Sequence, residues 1–151
     1  MKHVATLVSA LYCLLFALNG IAQSNSKRPS AFNDFPKIIY CPASTIANLF
    51  SIAQGQQVTI LFGENQILQG KIINKISKYN NTLQTLVIQI PAYGNSILSI
   101  SKRKEMDNSD VFTGHLYNNN FADGFQIKPA KNNQYQFEKI ASEQVFQPCN
   151  Q

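Results

Sequence analysis

The chain has 151 residues, 13 Lys and Arg against 8 Asp and Glu, 44% hydrophobic residues and no tryptophan. This length holds one domain with a real core and is too short for two ordinary ones. The formal charge of +5 is mild and dispersed, which excludes a dedicated nucleic-acid binder, so no nucleic-acid partner is expected.

Lys2 and His3 precede an uncharged apolar run, Leu7 to Leu18, that Asn19-Gly20 breaks. Gly20-Ile21-Ala22 then supplies the small residues of a cleavage site before Gln23. Residues 1–22 are therefore expected to be a secretory signal peptide cut near Ala22, and the protein to be exported, either periplasmic or secreted. No later apolar run reaches spanning length, so no transmembrane segment is expected after signal removal. Residues 23–36 are polar, carry Pro29 and Pro36, and predict a flexible leader. Residues 37–151 form the domain.

Lys37 to Tyr40 predicts a short first strand. Ser44 is placed to cap a short helix through about Ser51, with Ile46, Leu49 and Phe50 on its apolar face. From Gly55 the period becomes two, the mark of half-buried strands. Val58, Ile60 and Phe62 alternate with polar or outward positions, and Gly63-Glu64-Asn65 turns the chain. Leu68, Ile72 and Ile76 fall on one face of a long strand; Lys71, Ile73, Lys75 and Tyr79 fall on the other. Gly70 and Asn74 in that strand mark a bend or bulge. Asn80-Asn81 is the next turn.

Leu86, Ile88 and Ile90, then Leu98 and Ile100, give two further inward sets around a break at Pro91 to Asn95. A charged loop over 102–110 leads to Phe112, Gly114 and Leu116. An amide-rich turn precedes Phe125 and Ile127, and Tyr135 and Phe137 close the series. The pattern predicts an all-β fold: a single antiparallel barrel or sandwich of about seven strands with a short N-terminal helix.

Cys41 and Cys149 remain once Cys13 leaves with the signal peptide. In an oxidising compartment such an isolated pair is expected to form a disulfide. His115 is the one remaining histidine, on the face opposite Phe112 and Leu116. Zinc needs three or four ligands, and Asp107, Ser109 and Asp110 lack the spacing of a calcium loop. No metal site and no cofactor is therefore nominated. No carboxylate pair, nucleophile elbow or phosphate-cradling glycine loop stands out, so no catalytic residue is named. The binding candidates are Lys71, Lys75 and Tyr79 on one strand face, with Lys102, Arg103 and Lys104. Tyr93 and Phe121 are loop aromatics, the second read as an inward anchor.

Two resemblances bear on this. Residues 55–72, through Val58, Ile60, Gly63, Gly70 and Ile72, resemble the opening strands of SH3-like and Sm-like small barrels. The Asp and Asn positions with which Sm proteins bind RNA have no match in residues 74–81. The mature chain is also similar to short exported bacterial β proteins of unassigned function. The shared features are Asn48-Leu49-Phe50 before Val58, Thr113-Gly114-His115-Leu116, Asp123-Gly124-Phe125, and Tyr135 to Lys139. The first resemblance implies a barrel; the second implies export and supplies no activity.

The expected function is a non-enzymatic envelope or secreted module that binds a protein or glycan partner in the envelope through a sheet face or loops. The rival readings are a small exported hydrolase or enzyme inhibitor, and a basic β-barrel holding an anionic glycan or lipid headgroup.

Overall fold

Period-two alternation becomes eight antiparallel strands in a computed structural model that describes residues 28–62, 66–142 and 145. The signal-peptide reading of residues 1–22 and Cys149 both lie outside those residues. The strands are β1 (Ile38–Pro42), β2 (Gln57–Leu61), β3 (Ile67–Lys78), β4 (Leu83–Ile90), β5 (Ser96–Lys104), β6 (Asp110–Tyr117), β7 (Asp123–Pro129) and β8 (Gln134–Ala141). Among the described residues one α-helix, α1 (Ala43–Leu49), follows β1 directly, and a 3-10 turn, Pro91–Tyr93, joins β4 to β5.

Strands β2 to β8 form a meander, and β1 returns to pair with β8, giving the order β1-β8-β7-β6-β5-β4-β3-β2. The fold is all-β as expected, with eight strands rather than about seven. It is one curved sheet, a half-barrel, with β1 and β2 as its two edges. The connection from β1 through α1 to β2 joins those edges.

The inner face carries the core. One row crosses the sheet in register: Ile39, Phe137, Ile127, Gly114, Ile100, Leu86 and Lys75, from β1 to β3. Gly114 is required there, because a Cβ would strike the carbonyl oxygen of Ser99. Two aromatic groups fill the half-barrel. At one end Phe32, Phe35, Phe62, Tyr93, Phe125 and Phe137 meet with ring centroids 4.8 to 6.2 Å apart. At the other, Phe112 lies 5.9 Å from Phe50 and 5.4 Å from Tyr135, whose hydroxyl accepts the Phe112 N–H at 3.1 Å. Such pairs add to the burial of their rings.

Residues 28–36, expected as a flexible leader, are instead a strap across the first aromatic group. Phe32 is 0% exposed. The Asp123 carboxylate accepts from Ser30 Oγ, from the Ala31 N–H at 2.7 Å and from the Phe32 N–H at 3.1 Å. Lys139 Nζ donates to the Phe32 and Phe35 carbonyls. The polar composition of 23–36 hid two phenylalanines that the core needs.

Helix α1 buries Ile46 and Leu49, and Phe50 follows them into the core. Its N-cap is Pro42 with no side-chain cap, so Ser44 does not take the capping role the sequence suggested. Among the described residues no helix is long and apolar enough to cross a membrane.

Candidate functional site

The six residues named as a basic surface do not form one. A bulge between Ile72 and Asn74 shifts the β3–β4 register and reverses the facing of every later β3 residue. Lys71 therefore stays outside, opposite Gln89. Lys75 joins the inner row and donates to the Phe50 carbonyl and, at 3.3 Å, to the Ile52 carbonyl. The same reversal turns Ile76 outward, where it is 41% exposed rather than inward with Leu68 and Ile72. Tyr79 sits in the following turn at φ 51 and is exposed.

Lys102 also points inward. Its ammonium lies 5.2 Å from the Phe50 ring centroid and 3.9 Å from Asp110. Arg103 points outward and pairs with Glu105, its Nη2 at 2.6 Å. Lys104 is exposed at the end of β5, in register with Asp110. The basic set is thus divided between the two faces, and three of its cations have partners within the protein.

Cys41 is 3% exposed on the inner face and is bonded to no other cysteine among the described residues; Cys149, its expected disulfide partner, lies outside them. Burial pushes the Cys41 thiol up, more than a side-chain hydrogen bond with Thr45 pulls it down. His115 is half-buried on the outer face of β6, between Ser99 and Gln126 in register. Burial lowers its pKa. Among the described residues no group of three or more His, Cys, Asp or Glu is placed to hold a metal ion. Asp107 accepts from the Ser109 N–H and hydroxyl and shapes the 105–109 turn.

Two open grooves lie at hairpin turns. One, about 460 Å³, is lined by Asn95 and Ile97 at the start of β5 and by Tyr117 to Asn120 after β6. Ile97 and Tyr117 are cross-strand partners and make its apolar part. Asn118 fixes its wall: its amide donates to the Gly94 carbonyl at 2.7 Å, and its Oδ1 accepts the Asn120 N–H at 2.9 Å. Gly94 (φ +60) packs so near Phe121 that a Cβ would lie 2.9 Å from that ring. The other groove, about 420 Å³, lies at the opposite end of the strands. Tyr40, Lys131, Asn132, Gln134 and Gln136 line it.

Sequence reasoning missed Tyr117. Its signal was parity: it lies outward with Thr113 and His115 and runs directly into three asparagines. Tyr93, read as an exposed loop aromatic, packs instead on Phe32 and Phe35 at 5.2 and 5.4 Å.

These features define an antiparallel β half-barrel filled by its own side chains, with polar grooves at its turns. In comparisons with known proteins, no family model, no curated protein and no solved structure matches the chain.

Proposed function

We propose that the protein is an exported, non-enzymatic envelope or secreted module that binds its partner through its outer face and hairpin turns. One observation carries this reading: the inner face is occupied. Phe32, Phe62, Phe112, Phe125 and Phe137 are each at most 2% exposed and take up the volume that a hollow barrel would offer a ligand. Recognition is left to the outside, where the two grooves join a tyrosine to amide side chains. The basic-barrel reading draws less support, because Lys75 and Lys102 point inward and are engaged there.

The test is affinity purification of the tagged protein from envelope and medium at low and high salt. A partner held through largely neutral grooves survives salt, because screening acts on charges. Stoichiometric capture at both salt levels is the expected result. Capture lost at high salt would return the basic reading to the front. An empty eluate at both, together with no bound glycan, would overturn the proposal.

A further inference from the structure

We infer that the groove beside Tyr117 is a binding site for a neutral oligosaccharide. The inference deepens the outward-binding reading above and rests on it. The argument begins with what lines the groove. Asn95, Asn119 and Asn120 bring side-chain amides, each with two N–H donors and a carbonyl acceptor. A sugar hydroxyl both donates and accepts, so neighbouring hydroxyls of a pyranose match an amide in pairs. Tyr117 and Ile97 supply the apolar part, against which the C–H face of a sugar ring gains dispersion contact. No Asp, Glu, Lys or Arg is among the lining residues. A volume of about 460 Å³ lies within the range of small-ligand clefts, about 300–1,000 Å³.

The site is also built in advance. Asn118 is buried, and both ends of its amide are engaged within the wall, one on Gly94 and one on Asn120. Arg28 Nη1 donates to the Asn119 carbonyl at 3.1 Å, so the strap holds the same loop. A wall fixed before binding lowers the ordering cost that weakens most sugar complexes. A peptide fits less well. β5 is paired on both sides by β4 and β6, and β6 by β5 and β7, so the groove offers no free strand edge for an extended chain to join.

The experiment is titration of the purified protein with cellotetraose, chitotetraose, maltotetraose and mannotetraose, followed by calorimetry and by amide chemical shifts. Tetragalacturonate is the anionic comparator. At least one neutral tetrasaccharide is expected to bind. Shifts should centre on residues 94–97 and 117–120, and affinity should hold within about twofold from low to high salt. Tyr117→Ala should weaken binding about tenfold or more, Tyr117→Phe much less, and Asn120→Ala several-fold. Tyr40→Ala, in the other groove, should leave affinity within about twofold.

The inference is overturned if no neutral tetrasaccharide binds at about 10 mM, if only tetragalacturonate binds, or if Tyr40→Ala abolishes binding that Tyr117→Ala spares. Asn120→Ala, in an exposed turn, keeps the test decisive should Tyr117→Ala misfold. If a salt-resistant protein partner is captured while no sugar binds, this inference falls and the outward-binding reading stands.

Discussion

Among the described residues seven non-glycine positions hold positive φ, and all but Tyr79 are asparagine: Asn80, Asn81, Asn95, Asn108, Asn132 and Asn133. Asparagine tolerates that region because its short amide bonds to nearby backbone. The amide-rich composition is thus largely turn chemistry, Asn95 beside Tyr117 included. His115 gives a prediction at the same scale. Its ordinary pKa is near 6.5, and burial lowers it in the folded protein. The folded state then binds fewer protons than the unfolded one. Stability present above about pH 6.5 should therefore fall as pH drops from there through the lowered value, and level off below it. Urea midpoints measured from pH 7.5 to 5 should slope less in His115→Gln than in the parent chain. Equal slopes would show that His115 is not the group responsible.

Strand β3 decides how far the sequence could be read. Leu68 and Ile72 lie inward as their spacing predicts, Gly70 sits between them without a bulge, and the inward sets of β4 to β8 follow the same period. Asn74 marks a bend or bulge in the sequence, and the register does shift between Ile72 and Asn74, but strict alternation carried through it fails beyond that point, and with it the shared face assigned to Lys71, Lys75 and Tyr79. A lysine drawn inward by carbonyls leaves no mark in a hydropathy pattern. The two lysines should consequently behave differently. Lys75→Ala leaves the Phe50 and Ile52 carbonyls without their donor and should cost about 1–3 kcal/mol in chemical denaturation. Lys71→Ala, on the exposed outer face, should stay within about 0.5 kcal/mol of the parent. Similar losses for both would contradict the bulged register. The Tyr117 groove was illegible for a related reason: it joins the turn after the 3-10 segment Pro91–Tyr93 to the end of β6, a meeting that only the register creates.

The whole molecule is a half-barrel completed by its own chain, with the strap at one end and α1 at the other. Asp123 ties that strap to β7, and its loss should be felt across the fold. Asp123→Ala removes the acceptor for Ser30, Ala31 and Phe32 and should cost about 2–4 kcal/mol. Protease cutting within residues 28–36 should rise with it. A variant as stable and as resistant as the parent would show that the strap contributes little. The same corner holds Ser142, just past β8. The Ala122 N–H donates to the Pro29 carbonyl, while Ser142 donates to the Ala122 and Asp123 carbonyls. Pro29 and Ser142 thus lie side by side. Tension applied between them would peel these few bonds apart one after another, without shearing the ladder behind them. Whichever end bears a leash, the domain would dangle from this corner, with its 79–82, 105–109 and 130–133 turns swinging farthest from the anchor.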